Sequence, residues 1–228
     1  MPADIFPDID TPALLVDLDV MDRNIARMAD LAAGNGVALR PHIKTHKLPF
    51  FAMKQMEAGA VGITCQKVGE AEVMADAGLT DIFLPYNILG KSKLMRLHGL
   101  HQRITLSVTA DSGTTIEGYA ATFTDTAHPL KVLIECDTGG GRVGVQTKEQ
   151  ALMLARQIAA APGLRFGGLM TFPPVGEPHR AEDWLRTARD LLMANGLPCE
   201  TITTGGTPDM WRNADTSVIT EYRPGTYI

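Results

Sequence analysis

PLKVLIECDTGGGRVG, residues 129–144, runs from a short apolar strand pattern through a glycine-rich turn toward the helical pattern KEQALMLARQIAAA at 148–161. A strand, a turn and a helix in that order make one βα unit. The turn also fits Gly-x-Gly-x-x-Gly, with which an open doubly wound sheet holds a dinucleotide. That use requires the motif in the first βα unit and an acidic residue about 20 positions later for the ribose. Here four strand patterns come first, and PGLRFGG (162–168) contains no acid. The motif therefore reads as a tight turn in a loop over a barrel mouth. Arg142, within it, is not accounted for by the turn alone.

The same alternation extends in both directions. Strand patterns stand at VALRPHIK (37–44), VGITC (61–65), DIFLPY (81–86) and ITLSV (104–108) before it, and at LRFGGLMTF (164–172), CETITT (199–204) and SVITEYR (217–223) after it. Helical spacing separates them, ending with a short stretch around PDMWRNA (208–214), and no hairpin signal joins two strands directly. Eight βα units in sequence predict a closed (β/α)8 barrel forming one domain over 1–228. Before it, ALLVDL (13–18) is a further apolar run, and Asp19 is expected to cap the first helix, which carries Ile25, Met28, Ala29 and Ala32.

Composition narrows the function. Of 228 residues 45% are apolar and 21% charged, and the net charge is −5, which argues against nucleic acid or an anionic membrane as partner. Three scattered cysteines fit a reducing compartment, no apolar run reaches membrane-spanning length, and MPADIFPDIDTP is no signal peptide. A cytoplasmic protein is expected.

In such barrels the chemistry lies at the C-terminal strand ends. The first strand offers Arg40, His42, Lys44 and His46 at alternate positions, one face if the chain is extended. Pro41 marks where its pairing should fail. Arg40 is expected to pair across the closure seam with Glu221, or failing that with Asp137. The second strand ends at Gln66, the fifth at Asp137, the sixth at Thr171 and the eighth at Glu221 and Arg223. TTGGTP (203–208) and PGTY (224–227) follow the seventh and eighth strands; each is a glycine nest suited to phosphate, on the two strands where these barrels often bind one. A lysine amine beside other cations is a nucleophile toward aldehydes, and an aldehyde that carries phosphate is pyridoxal 5′-phosphate. Lys44 is thus expected to form a Schiff base. A metal at His42 and His46 lacks a third ligand, so no metal site is expected; His98, His101, His128 and His179 are expected to be solvated.

RPHIKTHK, CQKVGEAEVMADAG, ECDTGGGRVG, TTGGTP and TEYRPGTY, in that order, resemble the fold-type III pyridoxal-phosphate enzymes. Within these the likeness is to the D-threonine aldolase and D-serine dehydratase branch, whose N-terminal barrel is shared with alanine racemase. The resemblance implies Lys44 as the Schiff-base lysine and Arg142 at the cofactor's phenolic oxygen. It implies Thr204, Gly205, Gly206, Thr207, Gly225, Thr226 and Tyr227 around the phosphate, and Arg223 at the pyridine nitrogen. His42, Gln66 and Thr171 would line the substrate side. Phe172 stands where many relatives have a titrating His or Tyr. The family continues into a β-domain, absent from these 228 residues, that would pair with a strand at 13–18 and carry any divalent metal. The implied activity is retro-aldol cleavage of D-β-hydroxy-amino acids, by a homodimer; a D-serine-type dehydratase, a racemase and a non-catalytic single-barrel carrier remain alternatives.

Overall fold

The structure, a computed structural model, describes residues 8–211 and 217–228. The start of the acidic N-terminus (1–7) and part of the PDMWRNA stretch (212–214) lie outside the described residues. In chain order the elements are α1 (Leu18–Gly34), β1 (Ala38–Leu39), a 3-10 turn (Ile43–Thr45), α2 (Pro49–Glu57), β2 (Ile63–Thr64), α3 (Val68–Asp76), β3 (Asp81–Leu84) and α4 (Lys91–His101). Then follow β4 (Thr105–Ala110), α5 (Gly113–Thr122), β5 (Leu130–Cys136), α6 (Lys148–Ala160), β6 (Leu164–Thr171), α7 (Pro178–Ala194), β7 (Thr201–Thr204), α8 (Thr207–Met210) and β8 (Glu221–Tyr222).

All the strand pairs are parallel, in the order β1-β8-β7-β6-β5-β4-β3-β2. Between β1 and β2 the seam is closed by Val61 N–H donating to Leu39, Thr64 N–H donating to Pro41, and a bridge between His42 and Thr64. The expected barrel is the observed one. Among the described helices none is long and apolar enough to cross a membrane.

Period two along the strands sorts side chains into two regions. Ile82, Leu84, Val132 and Ile134 face the helices and belong to the main core, while Phe83, Leu133 and Met170 form a separate cluster inside the barrel. Below that apolar plug sit Arg40, Asp81 and Glu221; above it sit Glu135 and Arg223. The plug divides a structural polar layer from the functional mouth.

Arg40 lies in the lower layer, its Nε 2.7 Å from Glu221 and Nη1 2.6 Å from Asp81. Burial lowers its pKa, but the two carboxylates outweigh burial and the net shift is upward. The expected Glu221 pairing is present. Asp137 does not take part: it accepts from the amides of Gly139 (2.9 Å) and Gly141 (3.1 Å) and from Gln146. Burial raises its carboxyl, yet these donors hold it below its ordinary range. The GGGRVG turn thus wraps an aspartate. Its Gly144 has φ 106°, and a Cβ there would lie 2.6 Å from the Asp137 nitrogen.

Three local expectations are corrected. Asp17, not Asp19, caps α1, accepting from Val20 N–H at 3.0 Å. The apolar run at 13–18, expected to pair with a further β-domain, is unpaired and exposed among the described residues, with Leu14 94% exposed and Leu15, Val16 and Leu18 also open. The first strand ends at Leu39 rather than running to Lys44: Pro41 has no N–H to offer toward β2, although toward β8 the N–H groups of Arg40 and His42 still donate to Tyr222 and Pro224. His101 is buried rather than solvated: it stacks on His128, ring centroids 4.0 Å apart, and its Nε2 lies 3.0 Å from the His128 carbonyl oxygen.

Candidate active site

Lys44 occupies the 3-10 turn that follows β1. The predicted straight line of cations is therefore broken: Arg40 points into the lower layer, while His46 turns toward α2, accepts from Leu48 N–H at 3.1 Å and meets Phe51 edge-on. His42 stays beside Lys44. Its Nδ1 accepts from Lys44 N–H at 3.4 Å, and its buried Nε2 has no partner among the described residues. Burial first, then the charges of Lys44 and Arg223, push its pKa down to about 3, so it is neutral at pH 7.

The turn is bound to the loop after β8. His42 N–H donates to the Pro224 carbonyl at 2.8 Å, and the Thr45 hydroxyl to the Gly225 carbonyl at 2.6 Å. A Cβ at Gly225 would come 2.9 Å from the His42 carbonyl oxygen, so only glycine permits this approach. The loops after β7 and β8 meet in turn, because the Thr207 hydroxyl accepts from Gly225 N–H (3.2 Å) and Thr226 N–H (3.0 Å). Beside them Gly206 has φ 113° with open space where a side chain would stand. Lysine turn and glycine cradle are one hydrogen-bonded assembly.

Two arginines face this assembly. Arg142 donates to the Tyr86 hydroxyl at 3.4 Å and lies 4.9 Å over the Phe172 ring. Tyr86, at the end of the third strand pattern, is the residue that spacing alone did not single out. Phe172 supplies a face for a guanidinium rather than a proton. Arg223 is buried, its pKa lowered to about 10 by burial against the pull of Glu221 and Glu135, and so remains a cation at pH 7. Glu135, buried close by, has its carboxyl raised to about 7, burial outweighing the charge of Arg223.

The remaining expected residues divide. Thr204 and Gly205 continue β7 into the cradle. Gln66 lines a cavity of about 410 Å³ with Lys67, Tyr86 and Asn87. Thr171, expected on the substrate side, has a wholly buried side chain whose hydroxyl donates to the Cys136 carbonyl at 2.8 Å. Tyr227 sends its ring into the core, where its hydroxyl accepts from Gln55 at 2.8 Å, leaving only its backbone near the cradle. Among the described residues no group of three or more His, Cys, Asp or Glu could hold a metal ion. The groups present suit a phosphorylated aldehyde: a glycine cradle organised by the Thr207 hydroxyl for the anion, and a lysine beside a neutral imidazole whose Nε2 has no partner among the described residues for the carbonyl.

Residues 16–228 match the family described as alanine racemase, N-terminal domain. The chain belongs to that family. Among its relatives in this racemase-like barrel family, a D-threonine aldolase of an Arthrobacter species is 35% identical over 99% of this chain and 62% of its own. A D-threo-3-hydroxyaspartate dehydratase of Delftia is 34% identical, over 96% of this chain and 61% of its own. The solved D-threonine aldolase of Filomicrobium marinum superposes with a TM-score of 0.92 at 38% identity, covering 96% of this chain and 62% of that one. The chain therefore spans about three-fifths of the length of these relatives.

Proposed function

We propose that this barrel is the cofactor-holding part of a pyridoxal-phosphate lyase that cleaves D-β-hydroxy-amino acids to glycine and an aldehyde, working as a homodimer in the cytoplasm. The observation that carries the proposal is the bonding of the Lys44 turn to the Gly225 loop, which holds an amine next to an anion cradle. Bound there, pyridoxal 5′-phosphate would supply an electron sink for cleavage of the bond between the α- and β-carbons. Gly206, Thr207, Gly225 and Thr226 would bind its phosphate, Lys44 would hold its aldehyde end, and Arg142, set by Tyr86 and Phe172, would stand on the phenolic side. Arg223, a cation at pH 7, would meet the ring nitrogen as a donor and so favour its unprotonated form. Any divalent metal in the reaction falls to ligands outside the described residues.

The named relatives support aldol cleavage, and the Delftia dehydratase supports β-elimination as the second reading. Purified protein with pyridoxal 5′-phosphate is expected to release acetaldehyde and glycine from D-threonine and not from L-threonine, with and without Mn2+ as the two arms. Release of ammonia and a keto acid instead of aldehyde would select dehydration. Cofactor binding with no turnover of either kind would leave a carrier and sink the lyase proposal.

The cradle has its own test. Thr207→Val keeps shape but removes the hydroxyl that accepts two amides, and is expected to raise the dissociation constant for pyridoxal 5′-phosphate about tenfold, whereas Thr207→Ser leaves it nearly unchanged. Absorbance titration of both variants decides this. Equal affinities in Val and Ser variants would remove Thr207 from the site.

A further inference from the structure

Arg223 is held from several sides. Its backbone N–H donates to the Thr204 carbonyl at 2.8 Å, which continues the pairing of β8 with β7. Its Nε donates to the Thr203 hydroxyl at 2.8 Å and its Nη2 to the Thr171 carbonyl at 2.5 Å. The Phe83 ring centroid lies 5.8 Å from Cζ. On the opposite side is Gly205, where a Cβ would stand 3.6 Å from both Cζ and Nη1. Nη1 itself makes no hydrogen bond among the described residues. Nη1, the guanidinium nitrogen without a partner among the described residues, thus lies beside the first glycine of the cradle.

The nature of the anchor matters as much as its place. A buried guanidinium is usually met by a carboxylate, which fixes it bidentately and also neutralises it. Glu221, two residues before Arg223, is already bonded to Arg40 at 2.7 Å, and neither Glu221 nor Glu135 makes an ion pair with Arg223. The acceptors that set the plane are a hydroxyl and a main-chain carbonyl, both uncharged. Such a clamp fixes direction and leaves the positive charge available to a ligand atom at Nη1. Of the two acceptors, only the Thr203 hydroxyl can be removed by substitution. It is fully buried, on the strand between Arg223 and Thr171.

We propose that Thr203 is a positioning residue: its hydroxyl sets the plane of Arg223 so that Nη1 meets the ring nitrogen of the cofactor. The assignment rests on the pyridoxal-phosphate reading above and deepens it. Thr203 touches neither cofactor nor substrate and acts through the arginine alone. Without its acceptor, the buried Nε–H must turn to another partner, and Nη1 turns with it.

The test compares Thr203→Val, Thr203→Ala and Thr203→Ser in the intact protein, with pyridoxal 5′-phosphate as the probe. Two quantities are read: the dissociation constant, and the pH midpoint at which the visible band of the bound cofactor titrates. Glu135, Glu221, Tyr86, Arg40 and His42 act on Arg223, with Lys44 and Arg142 beside them, and none of these groups is altered. Val and Ala are expected to weaken binding about tenfold and to move the midpoint by about one pH unit or more, while Ser matches the parent within about twofold. Melting temperatures of the cofactor-free proteins show which variants are folded; Ala, which adds no methyl against the guanidinium, carries the comparison where Val does not fold. Parent-like affinity and midpoint in a folded Val or Ala variant overturns the proposal. So does a Ser variant as impaired as Ala, because the hydroxyl would then not be the operative group. A parent protein that binds no pyridoxal 5′-phosphate at all instead refutes the proposed function, and this assignment with it.

Discussion

Replacing Lys44 with alanine is expected to abolish the visible-range absorbance of bound cofactor and, with it, all turnover. Borohydride treatment of the parent protein should attach the cofactor covalently to a peptide containing Lys44; the same treatment of Lys44→Ala should attach none. The reason is geometric. The Lys44 turn is bonded to the loop after β8 through Thr45 and His42, whereas Lys47 in the same loop is 3.2 Å from Glu70 and is held against α3. No other lysine combines a free amine with attachment to the glycine cradle. The loss is complete because no neighbouring side chain can replace an amine as the attacking group. Folding should be unaffected, since Lys44 is only partly buried and makes no ion pair. Retention of a trappable visible band in Lys44→Ala would assign the cofactor to another lysine.

Arg40→Leu is expected to be the most destabilising single change outside the apolar core, by about 3–5 kcal/mol. That is a large share of the roughly 5–15 kcal/mol by which domains are stable. Arg40 joins three strands, bonding Glu221 of β8 and Asp81 of β3 from the end of β1. Asp81, about a third exposed, can turn to water; Glu221 is 8% exposed and cannot, so most of the cost comes from stranding Glu221. A urea titration should show the midpoint falling with the slope unchanged. Removing the stranded charge as well, in Arg40→Leu with Glu221→Leu, should restore part of the loss, as exchange of buried ion pairs for apolar groups does. Destabilisation under about 1 kcal/mol, the range of exposed ion pairs, would show that the pair is solvated and contributes little to closure.

Much of this was legible in the linear chain because the signals are local. The alternation of short apolar runs with helical spacing depends on nothing beyond neighbouring residues, and it yields eight βα units. Pro41 announces the end of β1 by the N–H it lacks. Gly206, Gly139 and Gly141 mark where backbone takes positive φ, which other residues resist. Order along the chain then places the loops after β7 and β8 next to the lysine segment, because a barrel closes its last strand on its first. Even the Arg40–Glu221 pair follows from closure and the alternation of side chains.

What the linear chain left undecided depends on choices between competing partners. Extended spacing could not show that Lys44 would sit in a 3-10 turn, since that turn forms only where Pro224 and Gly225 present carbonyls to His42 and Thr45. Thr171 and Thr203 look alike as hydroxyls at strand ends, yet one bonds Cys136 across β5 and the other anchors Arg223. Asp137 was a plausible partner for Arg40 until the amides of its own glycine turn claimed it. Periodicity fixes which way a side chain faces, so fold and closure follow from sequence. Which acceptor a buried donor takes depends on small differences in distance between competing groups, and only the packed barrel sets those.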